Sequence, residues 1–205
     1  MEYKWLNREN NEKVIIFFNG WGMDENAVSG MAFDEFDVVM FYDYNNLDTD
    51  FDFEKLNSYK EKSLVAWSMG VMVATLFKEK LEPLKSKTAI NGTLKPIDAE
   101  FGINPRIYDL TIRGFNEVGR EKFIRNMFDS EIKELPAINR ELENQKSELS
   151  AIKNYGADFD FKYNKVFISD NDKIIPTKNQ CKYWILEPNL KGGHCVKFES
   201  WSELV

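Results

Sequence analysis

The chain is poor in the residues that hold metals and disulfides: 205 residues contain one histidine and two cysteines. With one histidine, and no Cys-x-x-Cys or His-Glu-x-x-His spacing, a His-rich metal site is excluded. Cys181 and Cys195 do not form a disulfide framework, so a reducing cytoplasm is the expected setting. No apolar run approaches the ~20 residues that a membrane span requires. The polar start Met1-Glu2-Tyr3-Lys4-Trp5 opens no apolar signal region. An excess of positive charge is also missing. Lys and Arg number 27 against 34 Asp and Glu, for a formal net charge of -7, which argues against nucleic acid as the main partner. Neither Gly-x-Gly-x-x-Gly nor a Walker lysine is present, so no phosphate-cradling loop is expected. These absences leave a soluble, cofactor-free chain of one domain, expected to be a monomer.

What is present is apolar and aromatic. Hydrophobic residues make up 43%, with 16 Phe, 8 Tyr and 5 Trp, enough for one sizeable core. Short apolar runs recur. Val14-Ile15-Ile16-Phe17-Phe18 reads as a strand buried on both faces and ended by Asn19-Gly20. Val38-Val39-Met40-Phe41-Tyr42, Ser63-Leu64-Val65-Ala66-Trp67, Thr88-Ala89-Ile90 and Val166-Phe167-Ile168 read alike. A sixth strand is expected at Tyr183-Trp184-Ile185-Leu186. A helix is expected over 71–80. Strands separated by helical stretches predict an α/β fold, with a mostly parallel sheet and helices on both faces. The polar stretch 98–160 differs. Its apolar residues recur at helical spacing (Phe123, Met127, Ile132, then Leu142 and Leu149), with breaks at Gly114, Gly119, Pro136 and Gly156. It reads as two or more amphipathic helices inserted between sheet strands, either plain packing or a lid over a site.

The strongest chemical signal is Ala66-Trp67-Ser68-Met69-Gly70, set between an apolar strand and a helix. This is the context of a nucleophile elbow, small-x-Ser-x-Gly, in which small flanking residues let neighbouring backbone approach a strained serine. Serine also favours helix N-caps, which is the plainer role for Ser68. The lone His194, in Gly192-Gly193-His194-Cys195, follows the last expected strand and supplies the only imidazole base. An acid should lie between the two, and Ser169-Asp170-Asn171-Asp172 offers Asp170 and Asp172. Asp172, four residues before Pro176, is favoured, and Lys173 is a partner for whichever Asp is not used. Each Asp could instead serve only to form the turn. Cys195 adjoins His194, but neighbouring side chains point apart, so a Cys–His pair is not expected. In Asn19-Gly20-Trp21-Gly22-Met23-Asp24 the glycines let the loop turn inward. The backbone N–H groups of Trp21 and Met69 are candidate oxyanion donors, and the Trp21 indole a candidate wall of a substrate pocket.

Together, the 18–24 and 66–70 segments, Ala89-Ile90-Asn91-Gly92-Thr93-Leu94-Lys95-Pro96-Ile97-Asp98, the 171–176 turn and Gly193-His194-Cys195 resemble the BioG type of pimeloyl-acyl-carrier-protein methyl ester esterase. The resemblance implies an α/β-hydrolase fold with Ser68 as nucleophile, Asp172 as acid and His194 as base. It also implies a carrier-bound pimeloyl methyl ester as substrate, acyl carrier protein as partner, and a place in biotin synthesis. Asn19 stands where the wider superfamily usually has His. A carrier protein is acidic, and Arg106, Arg113 and Arg120 are spaced by seven, with Lys122 and Arg125 nearby. Arg113 and Arg120 are thus candidate docking residues, although Pro105, Gly114 and Gly119 interrupt any continuous helix through them. A short-chain carboxylesterase, a thioesterase, or a binding protein that kept the scaffold would share most of these features.

Overall fold

The computed structural model describes residues 1–129 and 135–205. In chain order its elements are β1 (Glu2–Asn7), β2 (Lys13–Phe18), β3 (Phe36–Tyr42), β4 (Glu61–Trp67), α1 (Gly70–Val73), α2 (Lys78–Leu81), β5 (Ser86–Ile90), α3 (Pro105–Gly114), α4 (Glu117–Asn126), α5 (Leu142–Ile152), β6 (Lys165–Phe167) and α6 (Thr177–Trp184). The strands form one sheet in the order β1-β3-β2-β4-β5-β6. All pairings are parallel except β1 with β3.

Side-chain alternation along the central strands feeds two cores. Val14, Ile16, Phe18, Leu64 and Ala66 face a cluster that holds Val71, Met72 and Phe77 from the α1–α2 segment and Leu149 and Ile152 from α5. Ile15, Phe17, Val65 and Trp67 face the opposite cluster with Met127, Trp201 and Leu204. Both faces of β2 and β4 are covered, which is why these strands read as unbroken apolar runs. Each fully buried side chain of this size contributes roughly 1.5–3 kcal/mol relative to leaving it exposed.

The structure departs from the sequence expectation in three places. β1 was not anticipated; it is an edge strand whose Tyr3 and Trp5 are only half-buried, so its apolar signal alternates weakly. The strand expected at 183–186 does not form. Tyr183 and Trp184 close α6, Ile185 takes a left-handed φ of 54° as its C-cap, and its side chain is 92% exposed. In place of that strand there is a single bridge, Ser169 to Leu190. The 71–80 helix is divided, with a 3-10 segment, Ala74–Phe77, between α1 and α2.

The 98–160 stretch does form helices, α3, α4 and α5, between β5 and β6; Ile132 lies outside the described residues. Asn104 caps α3, accepting from the Arg106 N–H ahead of Pro105, and Asn116 caps α4 through the Gly119 N–H. The break between them places Arg106 and Arg113 on α3 and Arg120 on α4, so the three do not share one helix.

Candidate active site

Ser68 occupies the turn from β4 into α1 with φ +57°, a left-handed conformation unusual for a residue with a side chain. Such a residue stores on the order of 1–3 kcal/mol, which only a well-packed surround can hold. The surround is close. A Cβ on Gly70 would stand 2.4 Å from the Phe18 carbonyl oxygen, and one on Gly92 would stand 2.5 Å from that of Ser68. Gly70, two residues after the serine, and Gly92, packed behind the turn, are therefore steric requirements. Ser68 does not cap the helix: the cap position is Met69, which makes no side-chain cap bond. The Ser68 hydroxyl instead meets His194 Nε2 at 2.8 Å.

His194 is 1% exposed and is held by its backbone. Its carbonyl accepts from Trp67 Nε1 at 3.1 Å and Asn91 Nδ2 at 2.9 Å, while the next N–H, of Cys195, donates to the Met127 carbonyl at 2.8 Å. Its Nδ1 lies 2.7 Å from Asp172 Oδ2. A carboxylate can only accept, so Nδ1 carries the proton and Nε2 is left to accept from Ser68.

Asp172 accepts four hydrogen bonds. The N–H groups of Ile174 and Ile175 reach Oδ1 at 2.8 and 3.1 Å; Gln180 Nε2 and His194 Nδ1 reach Oδ2 at 2.8 and 2.7 Å. Asp170 faces away. It pairs with Lys191 Nζ at 2.6 Å and accepts from the Gly192 N–H at 3.0 Å; the Lys191 bond leads in holding its carboxyl below the usual range. Its partner is thus Lys191 and not Lys173. Burial pushes the Cys195 thiol up to about 11, which suits an inert side chain.

The 19–24 loop is fastened by its own asparagine. Asn19 Oδ1 accepts from the Gly20 N–H at 2.8 Å, Asn19 Nδ2 donates to the Asp24 carbonyl at 3.0 Å, and the Tyr44 hydroxyl donates to the Asn19 carbonyl at 2.7 Å. Among the described residues, the backbone N–H groups of Trp21 and Met69 have no hydrogen-bond acceptor. Both residues line a small cavity of about 30 Å³ with Ser68, His194, Tyr108 and Phe123. That volume suffices for a water or two. The Trp21 ring stands edge-on to Phe115 and Phe123.

The two predicted docking arginines are not equivalent. Arg113 is exposed on α3, whereas Arg120 is half-buried and its Nη2 donates to the Ile138 carbonyl at 2.8 Å. Sequence reasoning missed Gln180, and missed the supporting roles of Asn91 and Asn19. The Asn91-Gly92 pair after β5 was visible only as part of the 89–98 segment that carries the family resemblance, with no role attached. Gln180, eight residues beyond Asp172, gave no local signal.

A mostly parallel sheet, a strained serine at a strand-to-helix turn, and Asp and His on later turns together define the α/β-hydrolase fold. The chain belongs to the family described as pimeloyl-ACP methyl esterase BioG, whose pattern matches residues 1–202. By family it is therefore a hydrolase. The crystal structure of BioG from Haemophilus influenzae is similar, with a TM-score of 0.87 at 33% identity, covering 100% of this chain and 99% of that one. A putative aryl esterase from Burkholderia cenocepacia shares the fold, with a TM-score of 0.63 at 11% identity over 94% of this chain and 86% of that one. A malonyl-[acyl-carrier protein] O-methyltransferase of Bacteroides fragilis is 37% identical over 183 residues, which is 84% of this chain; the chain spans 36% of that relative's length.

Proposed function

We propose that the chain is a serine esterase that hydrolyses the methyl ester of a pimeloyl group carried on acyl carrier protein, releasing methanol, in the cytoplasmic synthesis of biotin. The observation that carries this reading is the unbroken relay from Asp172 to His194 (2.7 Å) to Ser68 (2.8 Å) in a chain of this family. The methyltransferase name belongs to a protein of which this chain matches 36%, so it gives no reason to assign methyl transfer here.

Ser68 attacks the ester carbonyl as His194 Nε2 takes its proton, and Asp172 stabilises the resulting imidazolium. The tetrahedral oxyanion is received by the free N–H groups of Trp21 and Met69; a donor of this kind is typically worth about 10²–10³ in rate. His194 returns the proton to departing methanol, and water then cleaves the acyl-enzyme by the same route in reverse. No metal or organic cofactor enters this scheme. The α3–α5 insertion acts as a lid: its Tyr108 and Phe123 close over the small space beside Ser68 and His194. The carrier docks on α3, where Ile107 and Leu110 are 59% and 63% exposed beside Arg113. Arg120 contributes less, since its head group is already engaged.

The test is incubation with the pimeloyl-carrier methyl ester. Wild type should release methanol, and Ser68→Ala should be slower by on the order of 10⁴-fold or more. An intact ester with wild type, while p-nitrophenyl butyrate is cleaved, would leave a general esterase and sink the specific substrate.

A further inference from the structure

One helix of the insertion grips the oxyanion loop from several directions. The Gly22 N–H donates to Glu148 Oε2 at 3.1 Å. The Gly22 carbonyl accepts from Gln145 Nε2 at 2.7 Å, and the Trp21 indole N–H donates to the Gln145 carbonyl at 2.8 Å. Gln145 and Glu148 are three residues apart on α5, hence on one face, and both are buried.

The loop these bonds hold is a tight turn. Met23 N–H reaches back to the Gly20 carbonyl at 3.3 Å, and Gly22, in the third position, has φ +72°. A positive φ there is the mark of a type II turn. The commonest alternative, type I, differs by a flip of the central peptide, the one between Trp21 and Gly22. That flip would take the Gly22 N–H away from Glu148 and swing the Trp21 carbonyl toward a carboxylate. Glu148 therefore selects one of two turn geometries.

Glu148 is 0% exposed, and a carboxylate there is expensive. Burial pushes its pKa up, against the pull of Arg140 Nη1 at 2.6 Å and the Tyr44 N–H at 2.8 Å. Arg140 also reaches Asp43 Oδ1 at 3.2 Å. Buried ion pairs add little net stability over well-packed apolar residues, so stability alone does not explain the cluster. Its placement against the Trp21–Gly22 peptide does.

We infer that Glu148 is a positioning residue for ester hydrolysis: with Gln145 it anchors Gly22 and the Trp21 ring, and so holds in place the Trp21 backbone whose N–H, in the preceding Gly20–Trp21 peptide, receives the oxyanion. This rests on the proposed role of Trp21. It also gives the insertion a second duty, as the support of a catalytic loop.

The experiment measures kcat and KM on the pimeloyl-carrier methyl ester for wild type, Ser68→Ala, Glu148→Gln, Glu148→Ala and the double variant Arg140→Met/Glu148→Leu, with melting curves for each. The double variant leaves neither Arg140 nor Glu148 buried without its partner, and Asp43, which loses Arg140, keeps its bonds from Asn144 and Asn45, so it should fold even if Glu148→Ala does not. Expected is a fall in kcat on the order of 10–100-fold for the double variant with KM changed less than about 2-fold. A trifluoromethyl ketone, which forms a tetrahedral adduct, should weaken by the same factor. Glu148→Gln, which can still accept from the Gly22 N–H, should recover part of the rate. A folded double variant with wild-type kcat overturns the positioning role, as does a loss confined to KM. If Ser68→Ala matches wild type, or wild type is inert, the esterase reading fails, and the positioning role falls with it.

Discussion

Gln180 donates its side-chain amide to Asp172 Oδ2 at 2.8 Å, the same oxygen that His194 Nδ1 meets at 2.7 Å. A second bond, from Gln180 Nε2 to the Ile175 carbonyl at 2.7 Å, fixes the amide in that pose. One carboxylate oxygen thus serves two donors, while the Ile174 and Ile175 N–H groups hold the other.

Replacing that donor should show in the pH dependence of the rate. Gln180→Leu should lower kcat about 10-fold by removing one of the two donors on the Asp172 oxygen that faces His194, with little change in KM. Gln180→Glu should be worse and should change shape. A second carboxylate beside Asp172 favours the imidazolium, so the acid limb of the kcat–pH profile moves to higher pH. An unshifted limb in a folded Gln180→Glu enzyme would rule out this coupling.

Asn91 ties three turns together. Its Nδ2 reaches Ser169 Oγ at 2.8 Å and the His194 carbonyl at 2.9 Å, and its Oδ1 accepts from the Ser169 N–H at 2.8 Å. Asn91→Ala should destabilise the chain by roughly 2 kcal/mol or more, because buried partners lose their bonds. Urea unfolding gives the stability, and residual activity at 15 °C against 37 °C separates misplacement of His194 from simple unfolding.

The two small positions of the elbow should respond to very different degrees. Gly70→Ala drives a Cβ against the Phe18 and Asn19 carbonyl oxygens (2.4 and 2.6 Å) and should cost on the order of 3 kcal/mol or prevent folding. Ala66→Gly, which restores the commoner motif residue, should cost only about 0.5–1 kcal/mol through strand entropy. Comparing the two melting curves checks the steric account.

Asp37 sets an acid limit on stability. Burial pushes its carboxyl up, but donors from Tyr59, Glu9 and Asn11 prevail and hold it below the usual range. Because its folded value lies below the unfolded ~3.9, its contribution is complete above that pH and is lost as pH falls toward the folded value. Asp37→Asn should be less stable at pH 7 yet lose less stability below about pH 4. Urea midpoints from pH 7 down to pH 3 measure this, and parallel curves for the two proteins would refute it.

The central sheet was legible because β2, β3 and β4 are buried on both faces and so spell unbroken apolar runs. Ser68 was legible from its flanking small residues, and His194 because it had no competitor. Asp170 and Asp172 stayed open until the turn showed which side each faces. The apparent strand at Tyr183-Trp184-Ile185-Leu186 shows the limit of reading composition. Aromatic and branched residues look the same at the end of a helix, and here Tyr183 and Trp184 complete α6. Gln180, Asn91 and Glu148 were illegible for a different reason. Their partners lie 8, 103 and 126 residues away (Asp172, His194 and Gly22), and no local pattern encodes such pairs.

The single histidine has a spectroscopic consequence. In a nuclear magnetic resonance spectrum every imidazole signal must come from His194, with no assignment by mutagenesis needed. Its ring protons report the charge of the site directly, and a downfield proton on Nδ1 would track the bond to Asp172 as inhibitors, carrier or pH are varied. The scarcity of one residue type thus makes the chain a self-labelled probe of its own chemistry.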